Sequence, residues 1–363
     1  MINEKNKLTG AGLICLLLVV RAFSALTFFP TNMHSGLLFI AGILLAAPIH
    51  FMMILPAAKL TKYNKADTST VYAEAWPFIS KSVKSAYLLY FLYEAFLTVG
   101  SLSYFMDYFF SVDMPRVLTV LCFALAAVYG AGQQTSALGR TAQFGLAGLL
   151  LMLLAVGAGA AEDMQITRFD VAVSDQKSVL INAMLSDTDR CGCLVMFSFL
   201  AGRTKGDNVA AARRFIVAKA ALIGGIFAMV TAVLGSYAAR CKLPFFTLAA
   251  ASENLITERS DAVFLVVWVF SGVVKLSALT HCGALCAEQL IPRIKRTSAA
   301  LVVGLLPAAA ALPVLLGYGW DRLISAEYGL VPNVLLSFAV PVSFLAAGRS
   351  KHKFSDNSAV LQK

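Results

Sequence analysis

The chain has 363 residues, of which 59% are hydrophobic and 14% charged, and its mean hydropathy is +0.75. Soluble domains carry about 25% charged residues, so this composition excludes a soluble globular protein and indicates an integral membrane protein. The net charge of +10 would suit nucleic acid in a soluble protein, but here it predicts basic cytoplasmic loops and no nucleic-acid partner.

Long continuous apolar runs predict ten membrane-spanning helices, because backbone groups in hydrocarbon must hydrogen-bond within their own segment. The approximate boundaries of these spans are 8–30, 36–58, 85–110, 114–133, 141–161, 178–201, 214–238, 262–287, 298–317 and 328–347. The chain is therefore predicted to be a single all-α polytopic domain, 1–363, that lies in the lipid bilayer and ends in a basic cytoplasmic tail, 348–363.

The first span carries Arg21 near its middle. An arginine at that depth costs about 2.5–3.5 kcal/mol on insertion scales, a cost that a single-pass anchor rarely carries. A secretory signal peptide is the alternative, since Leu13 to Val20 resembles a short apolar core. Apolar residues resume after Arg21 and further spans follow, which favours a helical bundle with a polar interior.

Charged side chains also lie inside other spans, and intramembrane charge is typical of a substrate or proton pathway. They are Glu94 and Asp107 in span 3, Asp187, Asp189 and Arg190 in span 6, and Lys275 in span 8. Internal pairing is the alternative, either of Arg21 with Glu94 or of Lys275 with an aspartate of span 6. His50 and His281 are interpreted as structural histidines.

Span 6 contains the run LSDTDRCGCL, which places five polar side chains before Gly192. Such a run favours a broken helix, whose free backbone groups are tolerated only where they line a cavity. The alternative is an outer loop followed by a span that begins at Cys191. Cys191 to Leu200 alone is too short to cross a bilayer.

Motifs of enzymes and metal sites are weak in this sequence. The pair Cys191 and Cys193, and the group His281, Cys282 and Cys286, lack the spacing of a zinc site with four ligands. The sequence has no Walker lysine loop, nucleophile elbow or HExxH motif. It predicts no enzyme activity, no metal and no cofactor.

The segment ITERSDAVFLVVW, residues 256–268, resembles a signature of the endospore germination permeases, the GerAB-like B subunits of nutrient germinant receptors. The turn GQQTSALGR after span 4 is a second match to this family. The matching positions in this chain are Glu258, Arg259, Asp261, Phe264, Trp268 and, at the end of the turn, Arg140. Glu258 and Arg259 are expected to pair in the outer loop before span 8.

This family resembles a branch of the amino acid–polyamine–organocation superfamily. The resemblance implies a transporter-like fold of 5+5 inverted repeats, with helices 1 and 6 broken and a ligand pocket between spans 1, 3, 6 and 8. The positions expected to bind ligand are Arg21, Phe23, Ser24, Glu94, Asp187, Asp189 and Lys275. Relatives have a glycine-rich stretch near the end of span 1, where this chain has Phe23, Ser24 and Ala25.

The resemblance implies a receptor subunit that binds a small nutrient, such as an amino acid, and signals in spore germination. Its partners would be an A-type membrane subunit and a C-type lipoprotein. A proton-coupled transporter of amino acids or organocations is the alternative, and a structural partner without a ligand is a third possibility.

The distribution of Lys and Arg predicts that both termini lie in the cytoplasm, on the inside of the inner membrane of the spore or cell. With this orientation 19 basic residues fall in cytoplasmic segments and seven in outer segments. We expect a reporter fused after Lys363 to give a cytoplasmic signal in intact cells, with an insertion beside Arg240 as the outward-facing control. An external signal from the Lys363 fusion would contradict this topology.

Overall fold

Helices make up most of the computed structural model, which describes residues 7–27, 36–64, 77–109, 115–169, 175–252, 260–317, 320 and 329–346. The longer helices are α1 (Gly10–Thr27), α2 (Gly36–Asn64), α3 (Pro77–Phe109), α4 (Arg116–Gly132), α5 (Thr135–Gly159), α6 (Gln176–Asp189), α7 (Cys193–Leu200), α8 (Asn208–Leu234), α9 (Pro244–Ala251), α10 (Ser260–Leu290), α11 (Arg296–Leu316) and α12 (Leu330–Ala346). A small parallel sheet joins β1 (Leu8–Thr9) to β2 (Thr204–Lys205).

Seven of the described helices, namely α1, α2, α3, α5, α8, α10 and α11, are long and apolar enough to cross a membrane. Helices α4 and α12 and the segment Cys193–Arg203 are apolar but shorter. Several helices begin before the predicted spans, and α3 starts at Pro77 where the span was placed at 85. Hydropathy marks only the apolar part of a helix, whereas the backbone can remain helical beyond it. The limits of the ten spans stay a prediction.

Helix α1 lies at the centre of the bundle, because every residue from Leu16 to Thr27 is buried. A helix that is apolar all round lies either in lipid or inside a protein, and the burial of α1 shows that here it is surrounded by the other helices. The expected break of helix 1 is wrong within Gly10–Thr27, where α1 is one uninterrupted helix. Phe23, Ser24 and Ala25 replace the glycines that would favour unwinding there, so the backbone keeps its helical hydrogen bonds.

Contacts between the helices occur in matching pairs, in which each helix is replaced by its counterpart in the other half of the chain. In a 5+5 fold the counterparts are α1 and α6, α2 and α8, α3 and α10, α4 and α11, and α5 and α12. Helix α1 packs on α8, and its counterpart α6 packs on α2. In the same way, the contact of α1 with α5 corresponds to that of α6 with α12, and the contact of α3 with α11 to that of α10 with α4. Two inverted repeats produce such a pattern, so the packing has the predicted 5+5 organisation.

The predicted break in span 6 is confirmed, since α6 ends at Asp189 and α7 begins at Cys193. Asn333 of α12 stabilises this break by donating from Nδ2 to the carbonyl oxygens of Thr188 (2.9 Å) and Asp189 (2.8 Å). Tyr90 of α3 donates to Asn333 Oδ1 at 2.6 Å. One buried amide thus satisfies the Asp189 carbonyl at the end of α6 and adds a second donor to the Thr188 carbonyl, which also accepts from the Cys191 N–H at 3.2 Å.

We expect Asn333→Leu to destabilise the protein, because it removes the hydrogen-bond partner of the Asp189 carbonyl and of the Tyr90 hydroxyl, and one of the two donors to the Thr188 carbonyl, with the same number of side-chain heavy atoms. Each buried polar group left unsatisfied costs about 1–3 kcal/mol. The melting temperature of the purified protein in detergent measures this loss. Ser337→Ala is the matched control, since it removes from the same helix a single local bond, from Ser337 Oγ to the Asn333 carbonyl. An equal effect of both substitutions would contradict the role of Asn333.

Candidate functional site

Asp187, in the last turn of α6, holds two cations from two other helices. Its Oδ1 accepts from Arg21 Nη2 of α1 at 2.5 Å, and its Oδ2 accepts from Lys219 Nζ of α8 at 2.7 Å. The Asp187, Arg21 and Lys219 side chains are 1%, 3% and 0% exposed. The two interactions therefore join α1, α6 and α8 in the interior of the bundle.

His50 of α2 extends the Asp187 cluster, and its hydrogen bonds define its tautomer. The Thr188 hydroxyl donates to the Met184 carbonyl at 2.8 Å, so Thr188 Oγ1 accepts from His50 Nε2 at 3.0 Å. His50 Nδ1 then accepts from Lys219 Nζ at 2.7 Å. The ring is consequently the neutral Nε2–H tautomer, with Lys219 as the charged donor.

Among the described residues, the cluster has one more positive than negative charge, because Arg21 and Lys219 share Asp187 as their carboxylate. Arg21 Nε and Nη1 are buried and have no hydrogen-bond partner among the described residues. A buried cation with unused donors is costly unless a further acceptor completes it. Both two-donor edges of a guanidinium include Nη2, which here is bound to Asp187. Nε and Nη1 are therefore separate donors, each of which suits an oxygen atom of an anionic group such as a carboxylate.

A small cavity of about 10 Å³ is lined in part by Arg21, and its volume is enough for the centre of about one water molecule. Its lining includes Arg21, Ser186, Asp187, Arg190, Phe39 and Phe227. The cavity combines ionic groups of α1 and α6 with aromatic walls from α2 and α8. A solute larger than water would need these walls to move apart.

Lys275 of α10 forms a second buried ion pair, with Glu94 of α3 (Nζ–Oε2 3.1 Å). The Lys275 ammonium also donates to Ser24 Oγ at 3.0 Å and lies 5.6 Å from the centroid of the Phe23 ring. Ser24 follows Arg21 by three residues, so the two ion clusters contact one face of α1, about one turn apart.

The break between α6 and α7 lies directly against this second pair. A Cβ added at Gly192 would be 2.6 Å from Tyr90 Oη and 3.3 Å from the carboxyl carbon of Glu94. Glycine therefore permits the close approach of the break to α3. The pairings of the charges follow from these contacts. Arg21 pairs with Asp187 of span 6, so its expected pairing with Glu94 is wrong. Lys275 pairs with Glu94, which the sequence also offered as its counter-charge, and the alternative pairing with an aspartate of span 6 is wrong. Depth and side-chain reach decide these partners, and a linear sequence does not show them.

Asp189, two residues after Asp187, lies in a different environment. Its Oδ1 accepts from the backbone N–H groups of Gly329 (2.6 Å) and Leu330 (2.8 Å), at the start of α12. Its Oδ2 lies 3.4 Å from Arg190 Nε. Asp189 therefore caps α12 and connects it to the break, and its expected contact with a ligand stays a prediction.

The family-signature residues are spread over the structure. Trp268 Nε1 donates to Thr27 Oγ1 at 2.9 Å, and its ring stacks on Phe23 at a centroid distance of 5.5 Å, so it holds α10 against α1. Asp261 lies in the first turn of α10, and Arg140 is exposed on α5. Glu258 and Arg259 lie outside the described residues.

Lys219 and His50 belong to the site but were not among the predicted ligand-binding positions. The signal for Lys219 was present, since it is a lysine inside an apolar span. His281, by contrast, lies in a separate structural contact, with Nε2 3.0 Å from Thr135 Oγ1 and Nδ1 3.0 Å from the Ala131 carbonyl. Among the described residues no group of three or more His, Cys, Asp or Glu side chains is placed to hold a metal ion.

Solved structures with a similar architecture include a substrate-bound, outward-open Na⁺-coupled sialic acid symporter. It is 13% identical, with a TM-score of 0.55 over 90% of this chain and 77% of that chain. A mutant of the Eremococcus coleocola manganese transporter is 12% identical, with a TM-score of 0.57 over 93% of this chain and 75% of that chain. This chain has the fold of a membrane transporter.

The likeness to these structures shows the fold alone, since identity is 12–13%. No protein-family model matches the sequence, and no curated protein matches it. Any ligand of this chain must therefore be inferred from the charged clusters around α1.

We expect Asp187→Asn to destabilise the protein far more than Lys219→Met. The first change leaves Arg21 and Lys219 as unpaired buried cations, a defect that costs about 3–5 kcal/mol. The second leaves a balanced Arg21–Asp187 pair and removes the hydrogen bond to His50. Thermal unfolding and the monodisperse yield in detergent measure the difference. Equal losses for the two variants would contradict the charge balance described above.

Proposed function

We propose that this protein transports a small solute that carries a carboxylate, and that the carboxylate binds to Arg21. The observation that carries the proposal is the buried, positively charged Asp187 cluster, in which Arg21 Nε and Nη1 have no partner among the described residues. A carboxylate could accept from these free donors and would neutralise the excess charge of the cluster. An amino acid is one small solute with this chemistry.

Glu94 supplies a site for the ammonium group of an amino acid. Its Oε2 pairs with Lys275, and its side chain is 12% exposed, so the carboxylate is not fully enclosed. The backbone of the break contributes less, because Asn333 already binds the carbonyl groups of Thr188 and Asp189. Recognition in this proposal therefore depends on side chains of α1, α3 and α10 more than on the unwound backbone.

Coupling to protons would involve the buried titratable groups beside the carboxylate site. Lys219 Nζ contacts both Asp187 Oδ2 and His50 Nδ1, each at 2.7 Å. Binding of an anionic solute to Arg21 would change the electrostatic field at Asp187 and His50, which links solute occupancy to the protonation of the cluster. This arrangement supports the proton-coupled form of the transporter.

A nutrient-germinant receptor subunit is the second candidate function. The specific observation that favours it is the resemblance of residues 256–268 to the germination permeases. In this version the same carboxylate site binds a nutrient, and the signal passes to A-type and C-type subunits in the inner spore membrane. Binding without solute flux, together with dependence on those partners for germination, would favour the receptor over the transporter.

We expect proteoliposomes containing the wild-type chain to accumulate one or more radiolabelled L-amino acids under an imposed proton gradient. Arg21→Lys should reduce uptake about 30-fold or more, because lysine keeps the charge next to Asp187 but cannot replace the fork of the guanidinium. Arg116→Lys is the matched control, since it alters a second Arg–Asp pair, with Asp107, away from the centre. Equal uptake by wild type and Arg21→Lys would refute the proposed contact.

The part of the solute that each cluster recognises can be tested separately. Wild type should bind an amino acid more tightly than the amine that lacks its carboxylate, and Arg21→Lys should bind the two about equally. The double variant Glu94→Gln/Lys275→Met keeps the charge of the second pair balanced. It should selectively lose the preference for an amino acid over the carboxylic acid that lacks its ammonium group. Binding is measured as ligand-induced thermal stabilisation of protein that elutes as a single species. Unchanged selectivity in both variants would remove these clusters from the solute site.

A further inference from the structure

A basic pocket of about 320 Å³ lies at the end of the bundle where α1, α5 and β2 meet. Its lining includes Lys7, Arg140, Lys205, Gln134, Ser136 and Gln143, and none of its lining residues is a carboxylate. Pairing of Thr9 with Lys205 in the small sheet brings Lys205 to the start of α1. None of the three cations forms an ion pair with a described residue, so within the described part of the chain the basic pocket has an excess of positive charge.

An apolar groove of about 570 Å³ lies between α5 and α8, further along the same helices. It is lined by residues that include Leu18, Leu146, Leu150, Leu222, Gly225 and Met229, and no lining residue is polar or charged. Helices α5 and α8 both pack on α1, which forms the floor of the groove at Leu18. Gly225 widens the groove, because a Cβ added there would meet no atom within 4 Å.

The basic pocket and the apolar groove follow one another along a single face of α5. Ser136, Arg140 and Gln143 line the pocket, and Leu146, one turn further on, begins the groove. The helical rise places Arg140 about 21 Å from Leu154, the last residue of α5 in the groove. One leaflet contributes about 15 Å to the hydrocarbon core, so the combined surface matches a headgroup followed by an acyl chain.

We propose that this surface binds an anionic phospholipid, with its phosphate among Lys7, Arg140 and Lys205 and one acyl chain in the apolar groove. Charge complementarity selects the anionic headgroup, and the hydroxyl and amide groups of Ser136, Gln134 and Gln143 can donate to its oxygen atoms. A soluble phosphate would use the pocket and leave the groove empty. The bound lipid would connect α1, the helix that carries Arg21, to the periphery of the bundle, and the site does not depend on which solute the protein binds.

The headgroup contact is tested with the full chain, purified in detergent and stripped of lipid. Native mass spectrometry gives the affinity for phosphatidylglycerol and for phosphatidylcholine with identical acyl chains. Wild type should bind phosphatidylglycerol at least about tenfold more tightly. The triple variant Lys7→Gln/Arg140→Gln/Lys205→Gln should lose affinity for phosphatidylglycerol on the order of 100-fold, at about fivefold for each cation.

A triple variant with the same change in net charge is the matched control. Arg213→Gln/Arg214→Gln/Arg293→Gln alters three exposed arginines that do not line the basic pocket. It should retain the preference for phosphatidylglycerol. Equal losses in the two triple variants, or equal binding of both lipids by wild type, would overturn the proposal and indicate only a general effect of charge.

The groove is tested with two glycine substitutions that are sterically comparable. Gly225→Leu fills the apolar groove, whereas Gly148→Leu places the same side chain in open space elsewhere on the bundle. We expect about tenfold weaker phosphatidylglycerol binding by Gly225→Leu and unchanged binding by Gly148→Leu. Identical affinities of the two variants, or displacement of the lipid by millimolar inorganic phosphate, would overturn the lipid site in favour of a simple anion pocket.

Discussion

The centre of this bundle depends on the ionic interactions of the Asp187 carboxylate with two buried cations. Removing ions from water costs several kcal/mol each, and that cost is offset only when opposite charges meet in good geometry. Asp187 accepts from Arg21 and Lys219, and His50 completes the hydrogen bonds of the lysine. Helices α1, α2, α6 and α8 are consequently held in one relative arrangement, and the end of α6 beside the break is the place where they converge.

The inverted-repeat packing gives this cluster its position. Helices α3 and α10 correspond to each other in the two repeats, and they bring Glu94 and Lys275 together against Ser24 of α1. Asn333 satisfies the carbonyl groups freed by the break, while Asp189 caps α12. The polar residues near the break thus divide into two sets, one that supports the unwound backbone and one that faces α1 with uncompensated positive charge.

Two proteins with this architecture transport chemically unrelated solutes, sialic acid in one case and manganese in the other. The shared fold therefore says little about the solute of this chain, and the local chemistry has to carry that argument. The excess positive charge beside Arg21 favours an anionic group inside the bundle. The basic pocket and apolar groove at the periphery of the bundle favour a different anionic molecule, a lipid. Charge complementarity is thus the argument at both sites, one buried in the bundle and one exposed on its surface.

The sequence by itself determined the membrane class, the helical fold and the break in span 6, because hydropathy and the polar run LSDTDRCGCL act locally along the chain. It also drew attention to Arg21, Glu94, Asp187 and Lys275, since charge is rare in apolar spans. Only the tertiary structure decided which of these charges pair, that Lys219 and His50 contact Asp187, and that Asp189 caps α12. Those outcomes depend on helix rotation, depth and side-chain reach, which packing sets between segments that are more than 100 residues apart in the chain, such as Arg21 and Asp187 with a separation of 166.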